Sequence, residues 1–219
     1  MTLYTNDNTV WKVNDPHVND GGIVKPVNTG YVNENGIWKE MYESGPPTVI
    51  GEFSQGGYYF GEFGGHHLLC APEDLNSIYF CNVNTKPNVG SSRTDGKTNT
   101  AQWYALNSYS PTEIVYQAVN YAKSWDYAQT TQYPDWYLPA IDELGLLFTN
   151  KDALYSAGRD TFSPGYFWSS TQLYYSSSPQ TSVRAMASNG AETTKDKPTL
   201  YNIVAIRRWT PEIKDKKCI

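Results

Sequence analysis

The chain has 219 residues, a formal net charge of −5 at pH 7, only 18% charged residues, and 15% aromatics that include 18 tyrosines. It has no lysine or arginine run to clamp phosphates, which argues against nucleic acid as a partner; nor does it have a stretch approaching the ~20 apolar residues that cross a bilayer. The length suits one substantial core with a small appendage. The Tyr-, Ser- and Asn-rich composition suits either a recognition surface, where Tyr offers a stiff ring with a polar tip, or a β-rich fold with Tyr on its strands.

The N-terminal MTLYTNDNTV has neither a basic start nor an apolar h-region, so no secretory signal is expected. Residues 4–12 read YTNDNTVWK and residues 31–39 read YVNENGIWK, a Tyr-x-Asn-acid-Asn-x-(Val/Ile)-Trp-Lys pattern repeated at an offset of 27. Tyr4, Val10 and Trp11 correspond to Tyr31, Ile37 and Trp38. Each copy reads as a small β-hairpin, and Asn35-Gly36 is a strong type I′ signal. A lone hairpin is marginal in water, and two hairpins with one Trp each cannot build a separate core. Burying the indoles is worth a few kcal/mol at roughly 25 cal/mol per Å², so these six residues are candidate docking residues. The surface they dock on is either the chain's own main domain or another protein.

The Pro/Gly-rich SGPPTVIGEFSQGG (44–57) is a joint. The expected organisation is a docking segment over 1–45, a linker over 46–57, a main domain over 58–210 and a charged tail over 211–219. In the main domain YYFGEF and HHLLCA flank Gly64-Gly65, a hairpin signal, and SIYFCNV (77–83) reads as a further strand. Residues 84–101 read as a polar loop. SPTEIVYQAVNYAKSW (110–125) reads as a helix, with Ser110 and Glu113 fitting a capping box, Pro111 at the first helical position, and an apolar stripe from Ile114 to Trp125. Pro139 opens a second helix carrying Ile141, Leu144, Leu147 and Phe148 on one face, and a short turn stops at Gly158. YFWSST (166–171), TSVRAMA (181–187) and YNIVAIRRW (201–209) read as strands, with Asn189-Gly190 as a turn. Hairpin, helix, helix and late antiparallel strands make an α+β pattern.

Between the late strands lies LYYSSSPQTS. Tyr174, Tyr175, Ser176, Ser177, Ser178 and Gln180 are the candidate ligand-binding residues, able to stack on and hydrogen-bond to a glycan or protein receptor; a plain polar loop is the alternative. Cys70, Cys81 and Cys218 are an odd count without a signal peptide, which favours thiols, although Cys70 and Cys81 could bridge neighbouring strands. His66 and Cys70 share a strand face while His67 points away, so four convergent zinc ligands are not expected. No metal, cofactor or catalytic residue is assigned.

Two resemblances add to this reading. The N-terminal repeats, over about 40 residues, resemble short repeats of bacteriophage tail-associated proteins that sit near the virion-proximal end. Trp136, Leu138, Pro139, Glu143 and Leu144, then Phe167, Trp168, Ser169, Ser170 and Thr171, then Ile206, Arg207 and Arg208 resemble the signature of a C-terminal domain shared by phage and bacterial adhesins. That resemblance implies a C-type-lectin-like fold with two main helices and antiparallel strands, preceded by the small N-terminal β-hairpins. Ala140 replaces the family's usual hydroxyl residue, which puts the side-chain cap of its helix in doubt.

Trp136 and Trp168 read as core anchors, Ser169 and Ser170 as backbone-bonding residues, and Glu143 as a partner for Arg207 or Arg208. Enzymes of that broad fold use a late cysteine pair, which a lone Cys218 does not supply, and all three histidines lie before residue 68. The expectation is a non-enzymatic bacteriophage virion protein of tail, baseplate or fibre, made in the host cytoplasm. Its partners would be other virion proteins and a host-surface glycan or protein, without nucleic acid or membrane insertion. A purely structural spacer or decoration protein is the alternative, and a small enzyme of the same fold comes third.

Overall fold

The computed structural model describes residues 17–20, 23–26, 31–34, 37–40, 45–81, 89–107, 117–129, 133–173, 182–210 and 215–216. The chain divides into two compact units, Met1–Pro46 with Thr210–Ile219, and Pro47–Trp209.

In the first unit β1 (His17–Asp20) pairs antiparallel with β2 (Ile23–Pro26). β3 (Tyr31–Glu34) pairs antiparallel with β4 (Ile37–Glu40), and Glu34 lies opposite Ile37. Only Asn35 and Gly36 separate the two strands, the spacing of a two-residue hairpin loop. The first repeat copy, with Tyr4, Val10 and Trp11, lies outside the described residues. Tyr31, Ile37 and Trp38 lie on β3 and β4.

The second unit begins with β5 (Phe53–Ser54), β6 (Gly57–Phe63), β7 (His66–Cys70) and β8 (Leu75–Tyr79). Gly64 and Gly65 both have positive φ, 58° and 76°, which closes β6 onto β7 with Phe63 opposite His66. Four helices follow: α1 (Gly96–Asn107), α2 (Gln117–Gln129), α3 (Ile141–Thr149) and α4 (Lys151–Ser156). Gly158, at φ 99°, stands two residues past α4, where the chain turns away. The chain then builds β9 (Tyr166–Gln172), β10 (Ser182–Ala187), β11 (Glu192–Asp196), β12 (Leu200–Ile203) and β13 (Ile206–Arg208).

These nine strands form two sheets, β11-β10-β9-β12-β8 and β13-β7-β6-β5. One core gathers Phe80, Trp103, Trp136, Trp168 and Val183 with the apolar face of α2, Ala118, Val119 and Ala122. The other gathers Phe60, Leu68, Tyr137, Phe167 and Ile206 with the α3 face formed by Ile141, Leu144, Leu147 and Phe148. β9 separates the two cores, sending Trp168 into one and Phe167 into the other, as alternation along a strand requires. Finally, β14 (Asp215–Lys216) pairs antiparallel with β4 in the first unit.

The expected α+β, C-type-lectin-like domain with two main helices and antiparallel strands is not what the structure holds. Among the described residues, 47–209 are organised around two sheets of nine strands, the helices number four, two of them under ten residues, and β12 runs parallel to β9. Two local readings fail with it, and one is borne out over its described part. The polar loop over 84–101 includes the first turns of α1. The helix expected from Ser110 is a helix over its described part, Gln117–Gln129, and residues 110–116 lie outside the described residues. The strand expected over 201–209 is two strands in different sheets, because Val204 and Ala205 are buried at the crossing and the Ala205 carbonyl accepts from Ala71 N–H at 2.9 Å. Residues 47–57, expected as linker, belong to the second unit, and residues 215–216 of the expected tail are a strand of the first.

Candidate functional site around Glu143

Helix α3 begins without a side-chain cap, since Ala140 has no acceptor to offer. Tertiary groups take over. Ile141 N–H donates to Thr171 Oγ1 on β9 at 3.0 Å, and Asp142 N–H donates to the Arg93 carbonyl at 3.0 Å. Glu143 folds back to Ala140, whose N–H donates to Oε2 at 2.8 Å, as the third residue of a capping box does. The same Oε2 accepts Gly96 N–H at 3.1 Å, and Oε1 accepts the Tyr137 hydroxyl at 3.1 Å. The carboxyl group therefore ties the start of α3 to the start of α1. A Cβ on residue 96 would stand 2.4 Å from both Glu143 Oε2 and Ala140 N, so the tie demands glycine there.

Arg208, on β13, lies beside this knot. Its Nη2 is 2.9 Å from Asp95 Oδ1 and 3.9 Å from Glu143 Oε1. Asp95 also caps α1, accepting Thr98 N–H at 3.1 Å and the Thr98 hydroxyl at 2.7 Å. Burial pushes the Glu143 carboxyl up to about 7, against the pull of its three donors and of the Arg208 charge. Burial, then the charge of Glu143, raises Tyr137. Burial works to raise Asp95 too, but its bonds to Thr98 and Arg208 hold it below the ordinary carboxylate value. His66 is lowered by burial and by Arg208.

Outside the knot, Arg93 bridges Asp142 at 2.7 Å and Glu192 at 2.8 Å, and Arg184 also pairs with Glu192. Such half-exposed pairs are each worth about 0–1 kcal/mol; as a chain they join the α1 loop, α3, β10 and β11.

The structure sorts the expected residues as follows. Tyr174, Tyr175, Ser176, Ser177, Ser178 and Gln180 lie outside the described residues. Trp136 and Trp168 are core side chains, and Trp168 Nε1 donates to the Ile78 carbonyl at 2.9 Å. Ser169 and Ser170 hydroxyls donate to the carbonyls of Arg184 and Pro139. The two arginines divide: Arg207 pairs with Asp135 at 2.8 Å, and Arg208 is the one beside Glu143. Cys70 and Cys81 are free thiols in different cores, and burial pushes Cys70 up to about 11. His67 Nδ1 lies 3.0 Å from the Pro47 carbonyl, and among the described residues no three His, Cys, Asp or Glu side chains converge on a metal position. Sequence reading missed Asp95, and it named Thr171 in the signature without its capping role. The Asp-Gly-Lys-Thr run at 95–98 carried the signal for Asp95, an N-cap residue before a helix; Thr171 caps a helix remote in sequence and left no local trace.

No protein-family model and no curated protein matches the sequence. Among solved structures, a fimbrial protein from Bacteroides ovatus is similar at 12% identity and a TM-score of 0.48, over 66% of this chain and 36% of that one. This chain thus spans about a third of that protein's length, and a likeness at this level says nothing of function.

Proposed function

We propose that this is a protein of the exterior of a bacteriophage particle, made in the host cytoplasm, that docks through its first unit and presents its second. The observation that carries the proposal is the duplicated Tyr-x-Asn-acid-Asn-x-(Val/Ile)-Trp-Lys pattern. Its second copy spans a hairpin of two four-residue strands. Strands this short bury little against each other, so a partner surface from the tail, baseplate or fibre would supply what the unit lacks. In this reading Tyr4, Val10, Trp11, Tyr31, Ile37 and Trp38 make the docking contacts. The Tyr/Ser segment between β9 and β10, Tyr174 to Gln180, would meet a host-surface glycan or protein. Mass spectrometry of purified particles from the source tests this: the chain should be present in them, and a version lacking 1–46 should be absent. Particles without the full-length chain would end the proposal.

A second reading is a structural spacer with no receptor. It is favoured by how many polar groups around Glu143 are bonded to one another. Glycan-array and cell-binding assays separate the two, since a spacer binds neither.

A further inference from the structure

We propose that the five-stranded sheet binds a uronate residue of an acidic polysaccharide, at the place where Lys195 lies over Tyr166 beside Tyr201. Strand alternation and register set the members of the site. Trp168 points into the core that holds Trp103, so Tyr166, two residues earlier on β9, lies on the same face. On β10, Ala187 stands opposite Tyr166, Ala185 opposite both Trp168 and Thr193, and Val183 opposite Lys195, so Thr193 and Lys195 of β11 share that face. β12 runs parallel to β9 with Asn202 beside Phe167, which sets Tyr201 beside Tyr166, and the two rings meet edge to face at 5.3 Å. Between the tyrosines and the lysine, β10 offers only the small side chains of Ala185 and Ala187, and the long lysine side chain spans them. Its Nζ lies 3.7 Å from the Tyr166 ring centre and 5.6 Å from that of Tyr201. Tyr166, Lys195 and Tyr201 each remain partly exposed.

The charge on this face has one sign. The acids of β11, Glu192 and Asp196, lie on the opposite face, where Glu192 pairs with Arg93 and Arg184 and Asp196 accepts the Ser182 hydroxyl. Among the described residues no carboxylate pairs with Lys195, in a chain of net charge −5. Lys197, next on the same face, is fully buried against Trp103, which leaves Lys195 as the cation a ligand meets. An ammonium seated on a ring keeps donors for a carboxylate on its other side. The tyrosines supply stiff ring surface ended by hydroxyls, which suits the C–H face and the hydroxyls of a pyranose at small entropic cost. The ammonium stands close to both rings, so the matching carboxylate is one carried directly on the sugar ring, as in a uronate. Stacking on Tyr166 also restricts the lysine before the ligand arrives, which lowers the ordering cost of binding. This inference rests on the reading that the second unit presents a receptor surface, and it places the contact on β9, β11 and β12 instead of Tyr174 to Gln180.

The test is an NMR titration of the full chain with methyl glucuronide, methyl glucoside, a methyl sialoside and acetate, following tyrosine ring and lysine side-chain resonances. Methyl glucuronide should shift Lys195, Tyr166 and Tyr201. It should bind about three- to fivefold more tightly than methyl glucoside, the worth of one half-exposed ion pair. Raising salt from about 50 mM to about 500 mM should erase most of that preference. K195Q should bring the two sugars level, K195R should keep the preference, and Y174A with Y175A should leave it unchanged. The site is overturned if the wild-type chain binds glucuronide and glucoside equally, or if the sialoside binds more tightly than the glucuronide. Acetate binding as tightly as the glucuronide also overturns it, leaving an anion site only. Shifts confined to residues 174–180 would overturn this site and keep the receptor reading. A chain that binds glucuronide here but is absent from particles would keep this site and end that reading. The wild-type titrations decide the matter even if a variant does not fold.

Discussion

Replacing Asp74 with alanine strips the carboxylate from a guanidinium that water does not reach. The Arg159 side chain is 0% exposed and that of Asp74 6%, with Nη2 and Oδ1 2.8 Å apart. Asp74 Oδ2 also accepts Ser163 N–H at 2.6 Å. After the substitution the guanidinium keeps two carbonyls, Ala71 at 3.0 Å and Asp160 at 2.6 Å, and its stack on Phe162 at 3.6 Å. A buried cation without its counter-charge costs about 3–5 kcal/mol, and the orphaned Ser163 N–H adds to that. D74N restores an acceptor without the charge and should cost about half as much. The double change R159M with D74L removes both charges and should recover most of the loss. Equilibrium urea unfolding at pH 7, followed by tryptophan fluorescence, measures all three. A D74A loss under about 1 kcal/mol, or a double variant as unstable as D74A, would refute the claim that this pair is a dry, mutually dependent ion pair.

Three further outcomes follow from the same unit. Burial raises Glu143 from 4.5 to about 7, so its contribution to stability is fully present below pH 4.5 and is lost as pH rises through about 7, up to about 3 kcal/mol in all. E143Q does not titrate, so its stability relative to wild type should improve by that amount between pH 4.5 and 8; a difference that is constant with pH contradicts this. Gly90 has φ +69°, and a Cβ there would lie 2.1 Å from Trp103 Nε1 and 2.8 Å from the Ser170 carbonyl that Trp103 bonds. G90A should therefore lose about 2–4 kcal/mol in thermal or urea unfolding, and a neutral result would contradict that close approach. Cys70 and Cys81, buried and free, should resist a thiol reagent in the native chain and react after denaturation, whereas protection that persists in denaturant without reductant would indicate a disulfide.

Local signals in the sequence were legible and long-range ones were not. Gly64-Gly65 marked the β6–β7 turn because positive φ at two successive positions is a demand glycine meets cheaply. The α3 stripe was visible because four large apolar residues recur at helical spacing. Helix α1 was not visible. Its buried described residues are Gly96, Asn99, Thr100 and Trp103, of which only Trp103 is a large apolar side chain, so hydropathy shows no stripe; Asn99 and Thr100 are buried with their bonds to the Ser92 and Leu138 carbonyls. The run at 201–209 looked like one strand because an unbroken apolar stretch does not reveal that its middle crosses from one sheet to another. The Glu143 knot was half legible: its helix start and an arginine partner could be named, but the choice of Arg208 over Arg207 follows from alternation along β13, which sends neighbouring side chains to opposite faces. The overall architecture was misjudged because strand count and pairing direction depend on contacts between residues far apart in the chain, such as Asn202 with Phe167.

The claim on which the function rests is that the N-terminal repeats need an outside surface. Fluorotryptophan NMR of the isolated full chain, with W11F and W38F to assign two of the resonances and a soluble paramagnet to report exposure, measures it directly. The account predicts that both indoles are open to solvent in the free chain and become shielded when it is mixed with chain-deficient particles. Two indoles already shielded in the free chain would contradict it.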